Sequence, residues 1–157
     1  MDYTNKIILD NVNLDFVNET ILLGIRLDAR LQWSPQISHL GKRLSSAAYA
    51  VRKVRQLADV TTARIVYFSY FHSIMSYGIL LWGRAADIQS IFILQKKAIR
   101  SIYDLRSRDT LRELFKKINI MTVPGQYMKI LCMLEEILKF FIEIVINIVL
   151  IREININ

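Results

Sequence analysis

The sequence predicts a mainly α protein, with a short N-terminal β-meander followed by a bundle of about four or five helices. Three observations carry that expectation. Ile21, Leu23, Ile25 and Leu27 recur at every second position, apolar residues from Ile37 to Ala58 recur at steps of three and four, and no residue between Ile65 and Trp82 is charged. The chain has 157 residues, 53% of them hydrophobic, which suits one domain with a single core and argues against disorder.

The first elements read as strands. Lys6–Leu9 and Leu14–Val17 are β-prone runs on either side of Asp10, Asn11 and Asn13, which favour a turn. Ile21, Leu23, Ile25 and Leu27 then alternate with Leu22, Gly24, Arg26 and Asp28, the period of one half-buried strand. Gly24 within it points to a bulge or to close approach by another backbone or a ligand.

Helices come next. Ser34-Pro35 reads as a capping hydroxyl before a proline at the first helical position. Ile37, Leu40, Leu44, Ala47, Val51, Val54 and Ala58 form one apolar stripe, and Lys42, Ser45, Ser46, Tyr49, Lys53 and Gln56 fall opposite it. The uncharged run from Ile65 to Trp82 reads as a central helix buried around most of its circumference. Its three serines, three tyrosines, His72 and Gly78 make it a poor membrane span. Asp87 is placed to cap a helix with a stripe of Ile91, Leu94, Ala98 and Ile102, outside which lie Lys96, Lys97 and Arg100. A short helix is expected over 109–117, and Thr122 and Pro124 open the last one.

The final stretch changes character. Eight of the 21 residues from Ile137 to Asn157 are isoleucine, a low-complexity mix of the kind translated A+T-rich DNA yields. It reads as read-through. A tail anchor is the competing reading, but Lys139, Glu143 and Arg152 interrupt it, and 140–151 is shorter than the roughly 20 residues a span needs. The expected division is 1–33, a β-hairpin or meander; 34–134, a helical bundle; and 135–157, an isoleucine-rich tail.

The formal charge of +7 is localised. Residues 42–117 carry 15 basic and 5 acidic groups, while residues 1–41 and 118–157 are each mildly acidic. A basic segment of this kind suits a polyanionic partner such as nucleic acid, and it also suits plain solvation. One cysteine, Cys132, excludes an internal disulfide framework and fits a reducing compartment. The N-terminus MDYTNKIILD has no long apolar stretch, so no signal peptide is expected and an intracellular location is. His39 and His72 stand in no metal-ligand spacing, and no nucleophile elbow or glycine-rich phosphate loop is present. His72 reads as a hydrogen-bonded packing residue and Cys132 as a core thiol. Adjacent Glu135 and Glu136 point about 100° apart on a helix and form no carboxylate pair.

Five blocks in order carry a family resemblance. LLGIRLDARLQW (22–33) resembles an "LGI-x-LD…L-x-W" strand and turn, and ISHLGKRLSSAAYAVRKVR (37–55) the helix after it. YFSYFHSIMSYGILLWG (67–83) holds a His-Ser pair, Tyr-Gly and Trp-Gly; LQKKAIRSI (94–102) and RELFKKINIMTVP (112–124) complete the set. From Ile21 to about Leu134 the chain resembles the end of the palm plus the thumb in reverse transcriptases of jockey-like, LINE-type (non-LTR) retrotransposons. The resemblance implies binding of a template–primer duplex of RNA or DNA without sequence preference, beside a palm that supplies the catalytic aspartates. Those aspartates are expected to lie upstream. No cofactor is expected in this chain, since magnesium belongs to that palm.

The expected reading is thus a truncated piece of an RNA-directed DNA polymerase with no catalytic site of its own. Lys42, Tyr49, Lys53, Lys96, Lys97 and Arg100 are the expected backbone contacts. Two alternatives stay open. One is a relic or host-adopted docking module whose β edge seeks the palm; the other is a membrane-associated protein held by its tail.

Overall fold

The chain opens with two β-hairpins in place of a continuous meander. β1 (Ile7–Leu9) pairs antiparallel with β2 (Val12–Leu14), and β3 (Glu19–Leu22) with β4 (Ile25–Asp28), in two separate sheets. This computed structural model describes the backbone of residues 7–9, 12–14 and 16–154, and side chains from 16 to 144. The alternating run expected to be one strand folds back on itself at Leu23 and Gly24, with φ of 50° and 78°. Two successive left-handed residues make the tight turn whose twist matches a hairpin, with Leu22 opposite Ile25. Gly24 serves this turn, and a Cβ there would meet nothing within 4 Å among the described residues.

Asp28 ends β4 and shapes the turn after it. Its carboxylate accepts from the backbone N–H groups of Gln32 (2.9 Å) and Trp33 (2.8 Å). These bonds, Gln32 first, hold its pKa below the usual aspartate value. The turn delivers the chain into α1 (Ser34–Leu57), with Pro35 in its first turn. The expected Ser34 cap is not formed: Trp33 holds the cap position in a left-handed conformation, and the Ser34 hydroxyl points instead toward Asp87 (3.4 Å).

The α1 stripe is as predicted from Ile37 to Val51, while Val54 is half-buried and Ala58 is the extended residue just after the helix. Ile37, Leu40, Leu44, Ala47 and Val51 are buried, and the opposite face, from Lys42 to Gln56, is exposed. The uncharged run departs from expectation. It comprises α2 (Val60–Val66), a π-turn (Tyr67–His72), α3 (Ser73–Ser76) and, after a break at Tyr77-Gly78, α4 (Ile79–Trp82). Burial follows steps of four along one side: Ala63, Tyr67, Phe71, Met75 and Ile79. The wider π-turn keeps that spacing in line, where 3.6 residues per turn would drift. Ile65, Phe68, Tyr70 and Leu81 are exposed, so the rod lies at the edge of the bundle and buries a single face.

α5 (Ile88–Ile102) is the second pillar and packs most extensively on α1. Ile91, Ala98 and Ile102 are buried as expected, together with Ile99 and an unforeseen polar residue, Gln95, while Leu94 of the expected stripe is half-buried. Asp87 holds the cap position but makes no side-chain cap bond. α6 (Arg112–Lys117) buries Phe115 beside Leu111, and α7 (Val123–Ile154) comes last. Thr122 caps α7, its hydroxyl accepting from the Gly125 N–H at 3.2 Å.

α7 leaves the bundle as it goes. Val123, Gln126 and Tyr127 are buried and Ile130 and Leu131 half-buried; every side chain described from Cys132 to Ile144 is exposed. Cys132 is therefore a surface thiol and not a core residue, because the helix outruns its neighbours before reaching it. Truncation after Leu134 is expected to leave the thermal midpoint of the bundle unchanged within a few degrees and to reduce aggregation. Loss of the helical circular-dichroism signal beyond the deleted residues would show that the tail supports the bundle.

Candidate nucleic-acid interface

Where α1 and α5 cross, their flanks form a trough that follows α1 from Ser34 to Gln56. At 1.5 Å per residue that is roughly 33 Å. One half is lined by Tyr49, Arg52, Arg55, Lys97, Arg100 and Ser107, among others. The other is lined by Ser38, Lys42, Ser45, Ser90 and Lys97, with Ile37, Ile93 and Leu94 as an apolar floor. Lys97 belongs to both halves.

The helix period explains the lining. The stripe that buries Leu44, Ala47 and Val51 leaves Ser45, Tyr49 and Arg52 on the adjoining flank of α1. Burial of Ala98 and Ile102 turns Lys97 and Ser101 to the matching flank of α5. The acids lining the trough are Asp87 at one end and Asp104 at the other. Asp104 is already neutralised by Arg55 (2.6 Å). His39, half-buried on α1, has a lowered pKa through burial first and then through the nearby charges of Arg26, Arg43 and Lys42.

The predicted contact residues divide. Lys42, Tyr49, Lys97 and Arg100 line the trough. Lys53 does not; its ammonium lies 5.6 Å from the Tyr49 ring centroid, on the outer face of α1. Lys96 does not either, lying 4.5 Å from the centroid of Phe92, which packs toward Phe115. Arg100 is partly committed, donating from Nη2 to the Asp109 carbonyl (3.2 Å), while its buried Nε has no partner among the described residues. Arg52 and Arg55 also line the trough, though neither is among the expected contacts. Arg55 also donates from Nε to the Ile102 carbonyl (2.9 Å), which locks the end of α1 onto the end of α5. The i, i+3 run Tyr49, Arg52, Arg55 beside the apolar stripe was the available signal.

The motif blocks meet in space, where their distinctive residues hold the bundle together. Gln95 is fully buried and donates to the Tyr67 hydroxyl (3.1 Å) and the Met121 carbonyl (2.8 Å) while accepting from the Val123 N–H (3.0 Å). One amide thus ties three blocks. Burial pushes the Tyr67 pKa up to about 12, so the phenol stays protonated. The Tyr77 hydroxyl donates to the Leu23 carbonyl (2.6 Å), and Gly78 (φ 65°) leaves room for Ile25, whose Cδ1 would lie 2.4 Å from a Cβ. Trp82 donates to the Tyr77 carbonyl (3.0 Å). His72 is half-buried, with the Ser76 hydroxyl 3.2 Å from Nδ1, as expected of a packing residue. No cluster of three or more metal-binding side chains occurs among the described residues, and no helix there is long and apolar enough to cross a membrane.

Comparison with known proteins agrees with the motif blocks. The chain is 30% identical over 128 residues, 78% of its length, to a probable RNA-directed DNA polymerase from transposon BS of Drosophila melanogaster. It spans 14% of the length of that relative. No family model and no solved structure matches it. The chain is thus homologous to a segment of a transposon-encoded RNA-directed DNA polymerase, the origin its motif blocks imply.

Proposed function

We propose that this chain is the palm-end and thumb-like part of a non-LTR retrotransposon reverse transcriptase. In this reading residues 34–134 grip a template–primer duplex by its phosphates, inside the cell, beside a palm that does the chemistry. The trough between α1 and α5 is the observation that carries it. Lys42, Arg52 and Lys97 stand along it without an acidic partner among the described residues, with serines and Tyr49 between them. Cations and hydroxyls spaced along a groove suit a repeating phosphate backbone and read no bases.

The test is fluorescence anisotropy with labelled duplexes of unrelated sequence. Affinities within about threefold of one another are expected, since phosphate contacts carry no sequence information. A strong preference for one sequence, or no binding at low salt, contradicts the reading. With magnesium, a primed template and all four nucleotides, the isolated chain is expected to give no primer extension. Extension lost on substitution of Asp10 or Asp15 would overturn that part.

A docking role is the second reading, favoured by the hairpin β3–β4, whose Ile21, Leu22 and Leu23 are exposed. It takes the lead if no duplex binds.

A further inference from the structure

We infer that the part of α7 beyond the bundle is a self-association seam whose partner is a second copy of this chain. The inference is independent of duplex binding. Val123, Tyr127 and Ile130 seat α7 against the bundle at steps of four and three. The same spacing continues without interruption through Leu134, Ile137, Phe141 and Ile144, which are 40%, 49%, 59% and 37% exposed. In the sequence, Ile148 and Ile151 extend it further along the same helix. A stripe that is core in its first turns thus runs out of the bundle with the heptad spacing of paired helices.

The dimensions and the charge both favour a second copy. Leu138 and Phe140 flank the stripe and are also exposed, so the apolar face is wider than a narrow two-helix seam and suits two or more copies. With side chains about half exposed at roughly 100 Å² each, the described turns alone present several hundred Å², approaching the ~800 Å² each partner gives a stable interface. Two copies bring identical stripes that complement each other at matching spacing. The opposite face carries Glu135, Glu136 and Glu143 against Lys139. That excess of acid disfavours an anionic membrane surface, which amphipathic helices engage through lysine and arginine.

Sedimentation equilibrium of the full chain across the micromolar range tests the inference. The expected mass is a whole-number multiple of 18.4 kDa that falls on dilution. Ile137→Glu with Phe141→Glu should return the chain to its single-chain mass, with an unchanged thermal midpoint because both side chains lie outside the core. Lys139→Gln, on the polar face, should leave the assembly intact. A single-chain mass for the full chain at every concentration overturns the inference, as do polydisperse aggregates insensitive to the double substitution. A chain that is single in solution yet co-sediments with phosphatidylcholine vesicles overturns it in favour of a bilayer partner.

Discussion

Replacing Gln95 with leucine is expected to cost about 3–5 kcal/mol, although it puts an apolar residue into an apolar core. The side chain is fully buried, with both amide N–H groups donating and the carbonyl oxygen accepting, to partners from two other parts of the chain. Leucine removes those bonds and strands the Val123 N–H and the Met121 carbonyl at the entry to α7. Each buried group left unpaired costs about 1–3 kcal/mol. Set against a total stability of about 5–15 kcal/mol, that loss should leave a substantial fraction of the chain unfolded at 37 °C. Urea denaturation and thermal circular dichroism measure it. A midpoint within a degree or two of the parent would mean that Gln95 is not the tie between blocks.

The second large effect is expected at Gly83. Its φ is −65°, so conformational freedom is not the reason for glycine. Space is: a Cβ there would lie 2.3 Å from the Tyr127 ring and 2.5 Å from the Ile79 carbonyl oxygen. The first is a nearly buried ring at the base of α7 and the second is backbone that already accepts the Gly83 N–H, so neither yields cheaply. Gly83→Ala should therefore destabilise by about 3 kcal/mol, toward the upper end for overpacking. Gly41 supplies the contrast. It lies inside α1 with nothing among the described residues within 4 Å of a Cβ, and Gly41→Ala should stabilise by about 0.5–1 kcal/mol. Equal effects at the two positions would refute the packing argument.

Periodic burial was legible in the sequence and specific hydrogen bonding was not. The stripes of α1 and α5 follow from spacing alone because each helix buries one face against the other. The hairpin turn was hidden because an apolar residue at every second position reads the same through Leu23-Gly24 as through a continuous strand. Gln95 sits among lysines and reads as surface; only its angular position, adjoining Ile91 and Ala98, betrays burial. The circumference of the Ile65–Trp82 run misled for a related reason, since lack of charge permits burial on all sides but does not supply neighbours to do it. For the trough, the sequence indicated the face opposite the stripe, where Lys53 lies, while the concave surface forms on the flank where α5 meets α1. Lys42, Tyr49, Lys97 and Arg100 line that surface, and Lys53 and Lys96 lie outside it. Arg52 was passed over because it stands beside the stripe and not across from it.

Phosphate contact along the α1–α5 trough is tested most directly by the salt dependence of duplex binding. Each phosphate neutralised contributes a slope of about −0.9 in log affinity against log salt for duplex DNA. Arg52→Glu with Lys97→Glu removes two exposed trough cations that make no ion pair among the described residues and support no core contact. Affinity should fall for every sequence tested, and the slope should flatten by about 2 units if each contacts one phosphate. Lys53→Glu, outside the trough, should change the slope by far less. Unchanged affinity and slope in the double variant, with its fold intact, would contradict the account.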